Sequence, residues 1–261
     1  MRFLHTNRRI TSYPAYERFN NNYRTIHPIV DGLLGWYRCD YMNTDQITNG
    51  SSGSSYEGIT RIHNRWGSLS DLVPTTDGSG NTLYPEAGGK DYTSRRFAET
   101  DSSGHRKYAL EDNETISPPL TLTVGWSDPD VGILIDDGAS GGTRVECGDS
   151  NTDFQVNGGS IYTDLSTDGG MNMISIVWEG NDTVSIWMDG NDLGNTSHTG
   201  DFRNEVFNGD VENDGSRYGC NVGEWLFHDR ALSSSEIQQE HNRMRSYFTG
   251  DRDKYHRRNY S

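Results

Sequence analysis

The chain has 261 residues and a formal net charge of −15, with a hydrophobic fraction of 31% and 30 glycines. No run approaches 18 apolar residues, so no membrane-spanning helix is expected; the first nine residues, Met1 to Arg9, lack an apolar core, so no secretory leader is expected either. The 14 tyrosines and six tryptophans argue against wholesale disorder, because disordered chains are poor in aromatics.

The charge is unevenly placed. Residues 1–28 carry five arginines against Glu17, a balance of +4, and residues 249–261 balance at +2, which leaves −21 for 29–248. An acidic body of this kind excludes nucleic-acid binding by the fold, since phosphate contacts need clustered Lys and Arg. Two accounts fit the basic ends: ordinary polar termini, or segments that dock on an acidic surface such as a protein lattice.

In chain order, residues 1–28 form the first unit, an arm with Pro14 and Pro28 as breakers. Its candidate partner-binding residues are Arg8, Arg9, Tyr13, Tyr16, Arg18, Phe19, Tyr23 and Arg24. Tyr13, Tyr16, Phe19 and Tyr23 sit at spacings of three and four, one face of a helix, and Tyr with Arg is the composition of interface hot spots. A disordered tail with incidental aromatics fits equally well.

Residues 29–42 read as the first strand, and the Asn/Ser/Gly-rich stretch 43–58 as a loop. Ile59 to Trp66 reads as a second strand. Further short strands are expected at 106–110, 120–126, 131–135, 143–147 and 154–156, with turns every eight to twelve residues. Ile174 to Trp178 and Thr183 to Met188 alternate at period two across the turn Glu179-Gly-Asn-Asp182, the signature of a hairpin. Val222 to Phe227 is the last strand. Ser233 then starts a helix over 233–248, with Glu236 closing a capping box, Leu232 and Ile237 forming a staple, and Ile237, His241, Met244 and Phe248 on one face. The pattern predicts an all-β, two-sheet antiparallel sandwich with one C-terminal helix. Residues 29–248 are its body and 249–261 a basic tail. Cys39, Cys147 and Cys220 are odd in number and lack metal-site spacing, so buried thiols are expected, although one pair has the option of closing.

Three stretches carry a resemblance. Leu33-Leu-Gly-Trp-Tyr-Arg-Cys-Asp40 is similar to an opening "GLVGWW.AD". Trp178, Gly180, Val184, Trp187 and Asp189-Gly190 follow "W…G…V..W.DG". Glu224, Asp229-Arg230, Leu232-Ser233 and Glu236-Ile237 follow "E…DR.LS..EI". Together they resemble the laminin-G-like, concanavalin-A-like jelly rolls over residues 29–248. A motif "D.SGNGN" of that family is present in pieces, at Asp71 and Asp77-Gly-Ser-Gly-Asn81.

The resemblance implies a jelly roll of the kind common on phage heads and fibres. It implies a capsid decoration or cement protein at the virion surface, bound through the basic arm to the major capsid protein or another lattice protein, as homo-oligomers or lattice-bound copies. The alternative it implies is a lectin module binding host glycans. Alternation puts Trp187 among Thr183, Ser185 and Asp189, on the face opposite Ile186 and Met188, which makes it the best single candidate contact against the stronger alternative that it packs under a loop or second sheet. Many relatives hold one Ca²⁺ at the rim. Here Asp128, Asp130, Asp136 and Asp137 are the candidate ligands, against the alternative that Asp in turns only caps the backbone. Hydrolases of this fold set paired carboxylates on one strand as Glu-x-Asp-x-(x)-Glu. No such run exists, nor Gly-x-Ser-x-Gly or HExxH, and a non-enzymatic protein without a catalytic residue or required cofactor is expected.

Overall fold

A computed structural model describes residues 27–39, 44–48, 57–74, 86–88, 97–99, 108–112, 114–127, 132–136, 144–147, 154–156, 159–161, 171–197, 202–203, 206–207 and 221–248. Its strands are β1 (Leu33–Arg38), β2 (Thr44–Thr48), β3 (Glu57–Ile62), β4 (Asn64–Gly67), β5 (Leu72–Pro74), β6 (Glu86–Gly88) and β7 (Phe97–Glu99). They continue as β8 (Tyr108–Leu110), β9 (Thr115–Ile116), β10 (Leu120–Ser127), β11 (Gly132–Asp136), β12 (Arg144–Cys147), β13 (Phe154–Val156) and β14 (Gly159–Ile161). The last are β15 (Met171–Trp178), β16 (Thr183–Met188), β17 (Asn191–Ser197), β18 (Phe202–Arg203), β19 (Val206–Phe207) and β20 (Asn221–His228), before helix α1 (Ser234–Phe248).

The protein is an all-β sandwich with a C-terminal helix, and its described strand pairs are antiparallel. One layer runs β4-β1-β20-β10-β15-β16-β17. The other joins β2, β3, β5, β8, β19, β11 and β12 in ladder order. Period-two alternation decides what lies between them. Leu120, Leu122 and Val124 of β10, Ile174, Ile176 and Trp178 of β15, and Trp225 and Phe227 of β20 point inward. There they meet Ile59, Ile62, Leu72 and Tyr108 of the facing layer in one buried cluster. Cys39 is a buried thiol in that core.

The alternate residues of the same strands point outward, yet they are buried as well, because α1 covers them. Leu33, Trp36, Met173 and Leu226 pack against Met244 and Phe248, and Val177 packs against Leu232 and Ile237. The helix therefore lies on the face of the sheet. Its start follows the expected local chemistry. The Ser233 amide donates to Glu236 Oε2 at 2.8 Å, and its hydroxyl bonds the same oxygen at 2.8 Å. Residues 43–58, read as a loop, contain β2, a polar strand that pairs with β3 and lacks apolar alternation.

Candidate functional site

Strand β4 is held against β1 more closely than most residues allow. Gly67 has φ of 110°, and a Cβ there would lie 1.9 Å from the Leu34 carbonyl oxygen, so only glycine fits. The Asn64 side chain staples the same strand. Its Oδ1 accepts from the Trp36 amide at 2.9 Å and the Trp66 amide at 3.1 Å, and its Nδ2 donates to Leu69 O at 2.7 Å. The backbone under Trp66 is thus fixed, while its side chain is 49% exposed. Among the described residues, the other exposed large hydrophobic is Val30. The neighbouring Arg65 guanidinium lies 4.4 Å over the Trp36 ring.

Polar groups from β2, β3 and β4 and from three connections between strands gather here. Asp71 Oδ1 accepts from the Asn64 amide at 2.8 Å, and Asp71 Oδ2 meets His63 Nδ1 at 2.9 Å and Arg61 Nη1 at 3.1 Å. His63 Nε2 faces Asp45 Oδ1 at 3.2 Å. Glu111 clasps Arg61 through two contacts of 2.5 Å each. Partial burial works to raise the Asp71 pKa, but the bonds from Asn64, His63 and Arg61 outweigh it and hold the carboxyl below its ordinary value. Glu111 is likewise lowered, chiefly by its Arg61 bonds. Glu114 is raised by desolvation although Ser70 donates to it through both amide and hydroxyl. An exposed indole on a fixed backbone is suited to stacking on the apolar face of a ring.

A second constellation is sealed off from solvent. Glu224 of β20 and Glu240 of α1 are each 0% exposed and share Arg243, which is 4% exposed. Arg243 Nη2 lies 2.9 Å from Glu224 Oε1 and its Nε 2.6 Å from Glu240 Oε2. Trp36 Nε1 donates to Glu224 at 2.5 Å, and the Ile29 amide donates to Glu240. Burial opposes the charge on Arg243, but the two carboxylates outweigh it and raise the pKa above its ordinary value. This network locks helix to sheet. The partners of Glu224, Trp36 on β1 and Arg243 on α1, are 188 and 19 residues away, and only the fold brings them together. Arg230 of the turn before α1 pairs with Glu236 at 2.7 Å and Asp31 at 3.2 Å.

Trp187 is half-buried and packs on the cluster of Val177, Leu232 and Ile237 beneath α1. Asp136 ends β11, with its backbone opposite Arg144 and Val206; its side chain, and Asp128, Asp130 and Asp137, lie outside the described residues. So do the arm residues Arg8, Arg9, Tyr13, Tyr16, Arg18, Phe19, Tyr23 and Arg24. Among the described residues no group of three or more His, Cys, Asp or Glu is placed to hold a metal ion. Among them, too, no helix is long and apolar enough to cross a membrane. From the sequence Trp66 is expected as the end of the second strand and as the tryptophan preceding the divided "D.SGNGN" motif, with no ligand contact assigned to it. The available signal was its polar flank, His63-Asn-Arg before it and Gly-Ser after it.

No family model matches the chain, and no curated protein matches it. Solved structures do share its fold. Domain 4 of AbnA, a GH43 extracellular arabinanase from Geobacillus stearothermophilus, in complex with arabinotriose, superposes with a TM-score of 0.56 at 13% identity, covering 81% of this chain and 99% of that one. A mutant GH54 α-L-arabinofuranosidase soaked with 4-nitrophenyl α-L-arabinofuranoside gives 0.57 at 11%, covering 85% of this chain and 60% of that one. The binding domain of Paraclostridial Mosquitocidal Protein 1 gives 0.52 at 12%, covering 81% and 52%. The expectation of a non-enzymatic protein is corrected by these neighbours, since glycoside hydrolases contain this fold. That expectation rested on a carboxylate run along one strand. In the folded chain Asp71 and Glu111, 40 residues apart, meet on one guanidinium, so a missing local motif excludes nothing.

Proposed function

We propose that this chain is a carbohydrate-binding module whose contact surface is centred on Trp66. The observation that carries the reading is the exposed indole of Trp66, whose backbone amide is held by Asn64 and whose strand is closed onto β1 through Gly67. Stacking the apolar face of a sugar ring on that indole requires no rearrangement of the backbone beneath it. The fold shared with a domain held in complex with arabinotriose supports the reading and makes arabinotriose the first soluble probe. Trp187 is the second aromatic contact to test, at the border of α1.

The test is a glycan array probed with the wild-type chain, Trp66→Ala and Trp187→Ala. Trp66→Ala is expected to weaken binding about tenfold, the equivalent of roughly 1.4 kcal/mol, with its melting temperature unchanged. Wild-type binding to no glycan, or full binding by Trp66→Ala, contradicts the proposal. Loss confined to Trp187→Ala moves the contact to that residue.

A second reading is favoured by the charge distribution. The +4 segment 1–28 and the +2 segment 249–261 flank a body of −21. This supports a laminin-G-like virion component whose arm binds a lattice protein in repeated copies, with the four Asp residues 128, 130, 136 and 137 as a Ca²⁺ site at its rim. Deleting residues 1–28 is expected to abolish attachment to particles while the body stays folded; undiminished attachment contradicts it.

A further inference from the structure

We propose that helix α1 is an acid-released clasp over the outer face of the sheet, with the His241 imidazole as its catch. The core between the sheets does not depend on the clasp. That buried cluster draws its members from the strands and their connections and none from α1. The helix closes two smaller clusters on the other face of the same strands. Opening of α1 therefore leaves the inter-sheet core packed, the arrangement that allows one element to open short of global unfolding.

His241 sits where helix, sheet and hairpin turn meet. The turn between β16 and β17 is Asp189-Gly190, with positive φ at both residues, 52° and 87°. Its Gly190 amide donates to His241 Nδ1 at 2.8 Å, so that nitrogen is an acceptor and carries no proton. The neutral ring then holds its proton on Nε2, 2.8 Å from Ser175 Oγ of β15, which lies 2.7 Å from Thr123 Oγ1 of β10. A second proton would set two N–H donors head to head across 2.8 Å, on a ring that is 2% exposed. The charged groups around the ring do not relieve this. Arg245 of α1 adds positive charge, and Asp189 of the turn is engaged by Arg245 at 2.5 Å and by the Met173 amide at 3.1 Å. Glu224 of β20 is bound by Arg243 and Trp36, and Glu240 of α1 by Arg243 and the Ile29 amide. His228, at the end of β20, is a second buried imidazole, held through Nε2 by the Ile29 carbonyl oxygen. Once α1 opens, the His241 ring meets water and takes up a proton near its ordinary pKa of about 6.5, which the closed form resists. The ratio of open to closed helix therefore rises about tenfold for each pH unit below about 6.5. From about pH 7.5 to about pH 4.5 the rise is about a hundredfold, and ordinary carboxyls titrate below that window, at about 3.9–4.3.

The test is hydrogen exchange read by mass spectrometry on the full chain and on His241→Gln, at about pH 7.5 and about pH 4.5, with each rate divided by its intrinsic value. In the wild type, protection of α1 is expected to fall about a hundredfold between the two and to stay below that of β10 and β15 at both. In His241→Gln the fall is expected to shrink to about tenfold or less, the share left to His228. An undiminished fall in that variant, or no fall in the wild type, overturns His241 as the catch. Protection of α1 equal to that of β10 and β15 overturns the local opening. Ring ¹⁵N NMR of the wild type decides without any variant: His241 is expected as the neutral Nε2–H form at both pH values. A His241 ring that titrates near about 6.5 in the closed protein overturns the proposal.

Discussion

Gly67 and Asn64 govern the candidate surface without touching a ligand. Gly67→Ala is expected to cost about 3 kcal/mol, because the new methyl meets the Leu34 carbonyl and φ is positive; a denaturant melt reads it. Trp66 itself contributes little to the fold, so its removal separates binding from stability in a way that substitutions at Trp178 or Trp225, both buried, cannot. Residues of this kind were hard to find in the sequence. Alternation shows which way a strand side chain points only where the strand is long enough to display a period, and β4 has four residues. Asp71, His63 and Glu111 carry chemistry through their partners, and those partners come from separate strands and loops. Trp187 shows the complementary problem. Alternation correctly separates it from the core-facing Ile186 and Met188, but cannot reveal that a helix 50 residues later leans on that outer face.

Local interactions made some elements legible. The hairpin β15–β16 runs in unbroken register from Ile174 opposite Met188 to Trp178 opposite Val184, and the expected strand 183–188 coincides with β16. The capping box at Ser233 was readable because its bonds span three residues. Short polar strands such as β2 were not readable, since their stability comes from pairing with distant partners. The helix–sheet contact is held by buried polar groups, and this makes it sensitive to substitution and to acid. Arg243→Met leaves Glu224 and Glu240 buried without a counter-charge and is expected to cost about 3–5 kcal/mol by calorimetry or denaturant melt. His241 is 2% exposed. Its Nδ1 accepts from the Gly190 amide at 2.8 Å, and its Nε2 lies 2.8 Å from Ser175 Oγ. Desolvation, aided by the Arg245 charge, lowers its pKa to about 3 from an unfolded value near 6.5. A lowered histidine pKa favours the neutral folded form. The stability it provides is complete above about pH 6.5 and falls by about 1.4 kcal/mol per pH unit as acid is added toward pH 3. Urea melts at a series of pH values should show this slope. His241→Gln should remove most of the slope above about pH 4.5, leaving the part due to His228, whose pKa burial also lowers; below that pH the lowered carboxyls of Asp71, Glu111 and Glu236 add a fall of the same sign. A slope unchanged in that variant contradicts the assignment.

For the whole molecule, the acidic sandwich carries its helix packed over one face of the sheet. Along β20 one side of the strand faces the core through Trp225 and Phe227, and the other faces the helix through Glu224 and Leu226, so the central layer is buried on both sides. Little of the described apolar surface is left exposed, and Trp66 stands out on the edge strand for that reason. The most direct measurement is an NMR titration of protein labelled at the tryptophan indole ¹⁵N, using arabinotriose and the strongest glycan from an array. The account expects the Trp66 indole N–H signal to shift progressively with sugar while those of the buried Trp178 and Trp225 stay in place. Saturable binding that leaves the Trp66 signal unmoved, or no shift with any sugar, would contradict it.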